Sequence, residues 1–144
     1  MKNKRPYLFL IVIITTVSFL SSCKKDDNPV ASNGDELVGT WVLTKIIVPS
    51  YNNAELTPDD VGIHATFVLN KDRTFKVTMV DSSGTSVETG TWSTANGKVT
   101  LKGDTETIEM PYTLSDNGNK LTVETTYTFE TFGEVNVKLV LTKQ

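Results

Sequence analysis

Leu37-Val38-Gly39-Thr40-Trp41-Val42-Leu43-Thr44-Lys45-Ile46-Ile47-Val48 is β-branched and aromatic, free of proline, and has one glycine two residues before a tryptophan. That composition predicts a long first strand able to pair with neighbours on both sides. Its Gly-x-Trp element returns as Gly90-Thr91-Trp92, giving the domain two such anchors. Everything after residue 37 falls into short alternating segments separated by turns. Everything before it has the character of an export signal and a tether.

Downstream, the punctuation is regular. Strands are expected over 38–48, 63–70, 74–80, 86–93, 98–102, 105–115, 120–130 and 134–143. Asn96-Gly97 and Asn117-Gly118 are hairpin signals, because both residue types tolerate positive φ. The one long connection, 49–62, contains Thr57-Pro58-Asp59-Asp60, an N-cap with proline at the first helical position, so a single helical turn is expected there. Alternation is clean in the last three strands. Ile108, Met110, Tyr112 and Leu114 share a face, as do Leu121, Val123, Tyr127 and Phe129, and Val135, Val137, Leu139 and Leu141. The opposite faces carry Thr, Glu, Lys and Asn. Eight such strands in a meander leave two edges unless they close, so the expected fold is all-β, an eight-stranded antiparallel up-and-down barrel.

Upstream, Lys2, Lys4 and Arg5 precede an apolar run, Tyr7–Leu20, of 14 residues. That is short of the about 20 residues a bilayer span needs but suits a signal-peptide core. The run ends in Leu20-Ser21-Ser22-Cys23, which resembles the lipobox of bacterial lipoproteins, although Ser22 replaces the usual Gly or Ala. The resemblance implies a signal peptide over 1–22 and diacylation of Cys23. The alternatives are an ordinary secretory signal and an uncleaved anchor. Lys24 directly after the cysteine implies outer-membrane delivery. Lys25-Asp26-Asp27 resembles the surface-export signal of some Gram-negative lipoproteins, or is simply a charged linker. Residues 23–36 are expected to form a flexible tether reaching about 20 Å on a coil estimate, with the barrel domain at 37–144.

Composition narrows the function. With residues 1–22 removed, 11 bases face 17 acids, which argues against nucleic acid and anionic headgroups as partners. Cys23 is the single cysteine and His64 the single histidine, so a disulfide framework and a Cys-rich metal site are excluded within one chain. His64 falls on the outer face by parity. No Ser or Thr has a His and an acid at recognisable spacing, and no Gly-rich phosphate loop precedes a helix. The pattern does not indicate an enzyme and calls for no cofactor or metal.

Leu37-Val38-Gly39-Thr40-Trp41, Leu69-x-x-Asp72-x-Thr74-Phe75, Gly90-Thr91-Trp92-Ser93 and Leu121-Thr122-Val123 together resemble the lipocalin-like domains of bacterial lipoproteins, within the calycin group. The chain departs from better-known lipocalins in lacking an arginine in the last strand and a disulfide. The resemblance implies an eight-stranded barrel with a small-molecule pocket, and names no substrate.

Turn positions place Trp41 and Trp92 at the barrel floor, with Lys143 as the candidate cover for Trp41 through a cation–π contact. Parity from Trp41 and Leu43 points Lys45 and Ile47 inward near the rim. Parity from Trp92 and Ile108 does the same for Glu88 and Glu106. With Met79, Tyr127 and Phe129 these are the candidate ligand contacts, an anion-binding lysine above an aromatic interior. The alternative is that a bulge re-aims them or that they reach out to water. Two roles stay open: a membrane-tethered binding module for a small, partly apolar molecule, and a solidly packed barrel that docks an envelope protein.

Overall fold

A computed structural model describes residues 34–129 and 133–144; the expected signal peptide, Cys23 and most of the expected tether lie outside the described residues. The strands are β1 (Gly39–Val48), β2 (Ala54–Leu56), β3 (His64–Leu69), β4 (Thr74–Asp81), β5 (Gly84–Ala95), β6 (Lys98–Lys102), β7 (Thr107–Ser115), β8 (Lys120–Phe129) and β9 (Gly133–Lys143). Each pairs antiparallel with its successor from β3 to β9, and β9 returns to β1, so eight strands close a barrel. β2 is the addition the sequence did not announce. It borders β1 at Ile46–Val48, on the edge that β3 occupies lower down at Gly39–Val42.

The connections separate into two ends. Tight turns at 70–73, 96–97 and 116–119 make the floor, where Arg73, Asn96, Asp116 and Asn117 all take positive φ. The long segment 49–63 crosses the other end. It includes a 3-10 turn at Pro49–Tyr51 and α1 (Pro58–Val61). The Thr57 capping box forms in full: its hydroxyl accepts from the Asp60 N–H at 3.2 Å, and its own N–H donates to the Asp60 carboxylate at 2.8 Å.

The interior is apolar and almost filled. One apolar cluster at the floor gathers Leu37, Trp41, Phe75, Trp92, Met110 and Leu141. A second beneath the mouth gathers Leu43, Ile46, Val48, Ala65 and Val137. No polar or charged residue is buried among the described residues. Within the second cluster an interior gap edged by Met79, Tyr127 and Leu139 is about 30 Å³, room for about one water.

The floor is also sealed from outside. Gly34–Glu36, whose composition suggests tether, belong to the barrel. Asp35–Leu37 forms a 3-10 turn whose Leu37 is fully buried and whose Leu37 carbonyl accepts the Trp41 indole N–H at 2.8 Å. Asp35 accepts from Arg73 at 2.9 Å, and the Arg73 guanidinium lies 4.4 Å from the Trp92 ring centroid.

Candidate ligand-binding site

The inward placement of Lys45 and Ile47 does not hold. β1 carries a bulge at Thr44: Leu43 stands opposite Leu141, yet Lys45 stands opposite Val140. One extra residue reverses side-chain parity for the rest of the strand. Ile46 and Val48 therefore enter the core, 2% and 4% exposed, and Lys45 turns to the outer wall. There its ammonium donates to Glu55 of β2 at 2.6 Å. The bulge lies in the β1–β9 ladder, at the level where the other edge of β1 passes from β3 to β2.

Glu106 is not inside either; it stands exposed in the turn that precedes β7. Glu88 keeps the parity of Trp92 but lies against Gly103, at the side of the barrel above the short strand β6. Lys45, Glu88 and Glu106 thus do not converge. Met79, Tyr127 and Phe129 do face inward, around the small interior gap. Trp41 and Trp92 share the floor cluster, and Lys143 sits over Trp41. His64 is exposed, 3.5 Å from Asp59.

Apolar space opens at the mouth. A pocket of about 210 Å³ lies between the crossing segment and the β8–β9 end, walled by Val48, Ala54, Leu56, Val61, Phe129 and Val135, with Tyr51 at its edge. Its neighbour, an open depression of about 460 Å³, shares Val61 and Phe129 and adds Ile63, Tyr127, Asp60 and Asp81. The first wall is apolar throughout. The second ends in two carboxylates, and among the described residues no Lys or Arg lines either space.

Both carboxylates are held in place by their own turns. Asp60 is kept below the usual carboxylate range by the Thr57 backbone N–H, then by the Thr57 hydroxyl. Asp81 is kept low by the Ser83 hydroxyl, then by the Ser83 backbone N–H. Both are therefore ionised at neutral pH, so the mouth offers an apolar bed beside fixed negative charge. No group of three His, Cys, Asp or Glu is placed to hold a metal among the described residues. The mouth residues missed by strand parity had a visible signal: Tyr51, Leu56 and Val61 recur every five residues through an otherwise polar loop.

A sequence model of the lipocalin-like domain matches residues 37–123. The chain belongs to the lipocalin-like domain family. A lipocalin-like protein from Bacteroides uniformis superposes on this lipocalin-like barrel with a TM-score of 0.52 at 15% identity, over 76% of this chain and 99% of that one. The siderocalin Ex-FABP gives a TM-score of 0.44 at 9% identity, over 76% and 74% of the two chains. Apocrustacyanin C2 gives 0.45 at 9% identity, over 83% and 66%. Likeness at such identities is likeness of fold. No match was found among curated protein sequences. The lipocalin-like domain accounts for the closed eight-stranded barrel and is consistent with small-molecule binding.

Proposed function

We propose that this protein is a membrane-anchored lipocalin-like lipoprotein that binds a small, partly apolar molecule at the barrel mouth. The apolar pocket of about 210 Å³ under the 49–63 crossing carries the reading. It is below the about 300–1,000 Å³ usual for drug-sized ligands, so the guest is small or inserts one apolar end. Because the interior is filled, the guest stays at the mouth and does not descend the barrel. Asp60 and Asp81 beside it, with no base lining the same space among the described residues, favour a cationic or hydrogen-bond-donating head over a fatty-acid carboxylate. The role is binding, not catalysis, in keeping with the lipocalin-like family.

Anchoring rests on the sequence: a signal-like run, then Cys23, then Lys24. The proposed location is the outer membrane, with the Lys-Asp-Asp run favouring the cell surface over the periplasmic face. The filled core supports a second reading, in which the barrel is an interaction module of the envelope with no small ligand.

Titration of the full chain in mild detergent with octylammonium, octanoate and octanol separates the two. The mouth reading expects octylammonium to bind tightest, with NMR shifts at Val61 and Phe129. Absence of binding by all three favours the interaction module instead.

A further inference from the structure

The barrel wall has a split that the ligand reading does not use. β7 and β8 pair only between Tyr112–Ser115 and Lys120–Val123. Above that level β7 stays with β6, from Thr107 to Pro111, and β8 stays with β9, up to Phe129 opposite Gly133. Pro111 stands where the two strands part. It has no N–H to continue a ladder, which is why proline within sheets sits at edges and bulges. A cleft of about 620 Å³ opens there, bordered by Ile108, Glu109 and Pro111 on one side and Glu124, Thr125 and Thr126 on the other. Two strand edges, 107–111 and 124–126, face this opening with no ladder partner on that side among the described residues.

Charge across the outer wall has an order. Lys98 of β6 donates to Glu109 of β7 at 3.3 Å, and Lys138 of β9 is paired with Glu124 of β8 at 2.9 Å. Both lysines stand on the far strands and both carboxylates on the strands that border the split. By strand order the wall reads lysine, glutamate, split, glutamate, lysine, and Lys138 also reaches the cleft lining. The lining thus sets two carboxylates, Glu109 and Glu124, against one ammonium, Lys138, so a cation in the cleft meets a net negative charge. On the inner side, Ile108 is half-buried and Val137 fully buried, so an inward side chain there meets apolar surface.

Facing strand edges offer amide donors and carbonyl acceptors in series at strand spacing, a pattern that another backbone satisfies and a compact small molecule does not. We propose that the β7–β8 cleft accepts an extended basic segment of a partner protein as an added strand. Its Lys or Arg points outward between Glu109 and Glu124, and a small apolar side chain points inward toward Ile108 and Val137. The cleft meets the mouth crossing at Pro49, but the proposal does not depend on the ligand reading.

Hydrogen–deuterium exchange on the full chain in mild detergent tests this with three capped hexapeptides: Lys-Val-Lys-Val-Lys-Val, the block isomer Lys-Lys-Lys-Val-Val-Val, and Glu-Val-Glu-Val-Glu-Val. The alternating basic peptide is expected to slow exchange in 107–111 and 124–126 and leave 64–69 unchanged. The double substitution Glu109→Gln and Glu124→Gln, with an unchanged melting temperature, is expected to weaken that peptide about ten-fold at low salt. Equal binding of the block isomer or of the acidic peptide overturns the proposal, as does protection confined to other segments. Protection of the two edges that rises with protein concentration in the absence of peptide also overturns it, in favour of a second copy. Edges already slow to exchange at every concentration overturn it in favour of a segment of this chain.

Discussion

Lys143 holds its ammonium 5.2 Å from the centroid of the Trp41 ring, at the sealed end of the barrel. The same ammonium donates to the Glu36 carbonyl at 3.4 Å, and Trp41 donates to the Leu37 carbonyl. The last strand, the first strand and the entering chain are thus tied at one point. The register brings this about, since Trp41 stands opposite Lys143 where β1 meets β9. At the second anchor Arg73 covers Trp92 in the same manner.

Trp41→Ala is expected to cost about 3–5 kcal/mol, the range for large aromatic deletions in cores. Lys143→Met should cost only about 0.5–2 kcal/mol, since it keeps most of the stem and loses the cation–π contact. Urea unfolding of both variants checks the pair. Equal costs would contradict a core role for Trp41 and a covering role for Lys143.

Lys45 pairs with Glu55 on the outer wall, and both side chains are about half exposed. Lys45→Met is therefore expected to change stability by no more than about 1 kcal/mol. It should also leave the affinity for octanoate and octylammonium unaltered. A selective loss of octanoate binding would return Lys45 to the ligand site.

The acid dependence of the mouth follows from Asp60 and Asp81. Both have folded-state pKa values below the ordinary 3.8. A depressed value means that the group's contribution is present above the unfolded pKa and is lost as pH falls through the folded one. The turns at 57–60 and 81–83 should accordingly hold at all pH values above about 4 and loosen below it. Carboxyl NMR titration is expected to give midpoints under 3.8 for both residues. Octylammonium affinity should stay flat from about pH 5 to 8, where neither group changes charge, and Asp81→Asn should lower it.

Cys23→Ala is expected to abolish fatty-acid incorporation and to release or mis-sort the protein. Metabolic labelling with a radiolabelled fatty acid reads this directly, and equal labelling of the variant would sink the lipoprotein assignment.

Much of the fold was legible in local features of the chain. Asn-Gly pairs, Thr57-Pro58 and the two-residue alternation of β7, β8 and β9 depend on neighbouring φ/ψ preferences and on side-chain period, and these are written residue by residue. Closure could be inferred as well, because closing an eight-stranded meander on itself removes both edges. Parity then located Trp41, Trp92, Tyr127 and Phe129.

What the chain does not write locally is where its alternation breaks. The bulge at Thr44, in a strand that pairs with β2, β3 and β9, moves Lys45 from the mouth to the outer wall. The packing of both clusters into a filled core, the return of β2 over the mouth and the parting of β7 from β8 at Pro111 likewise come from fitting all strands around one closed ring. Strand period is a property of consecutive residues, whereas register, bulge and cavity are properties of the closed sheet. That is why the barrel could be read from the sequence, while the mouth, and the charges that face it, had to be read from the tertiary structure.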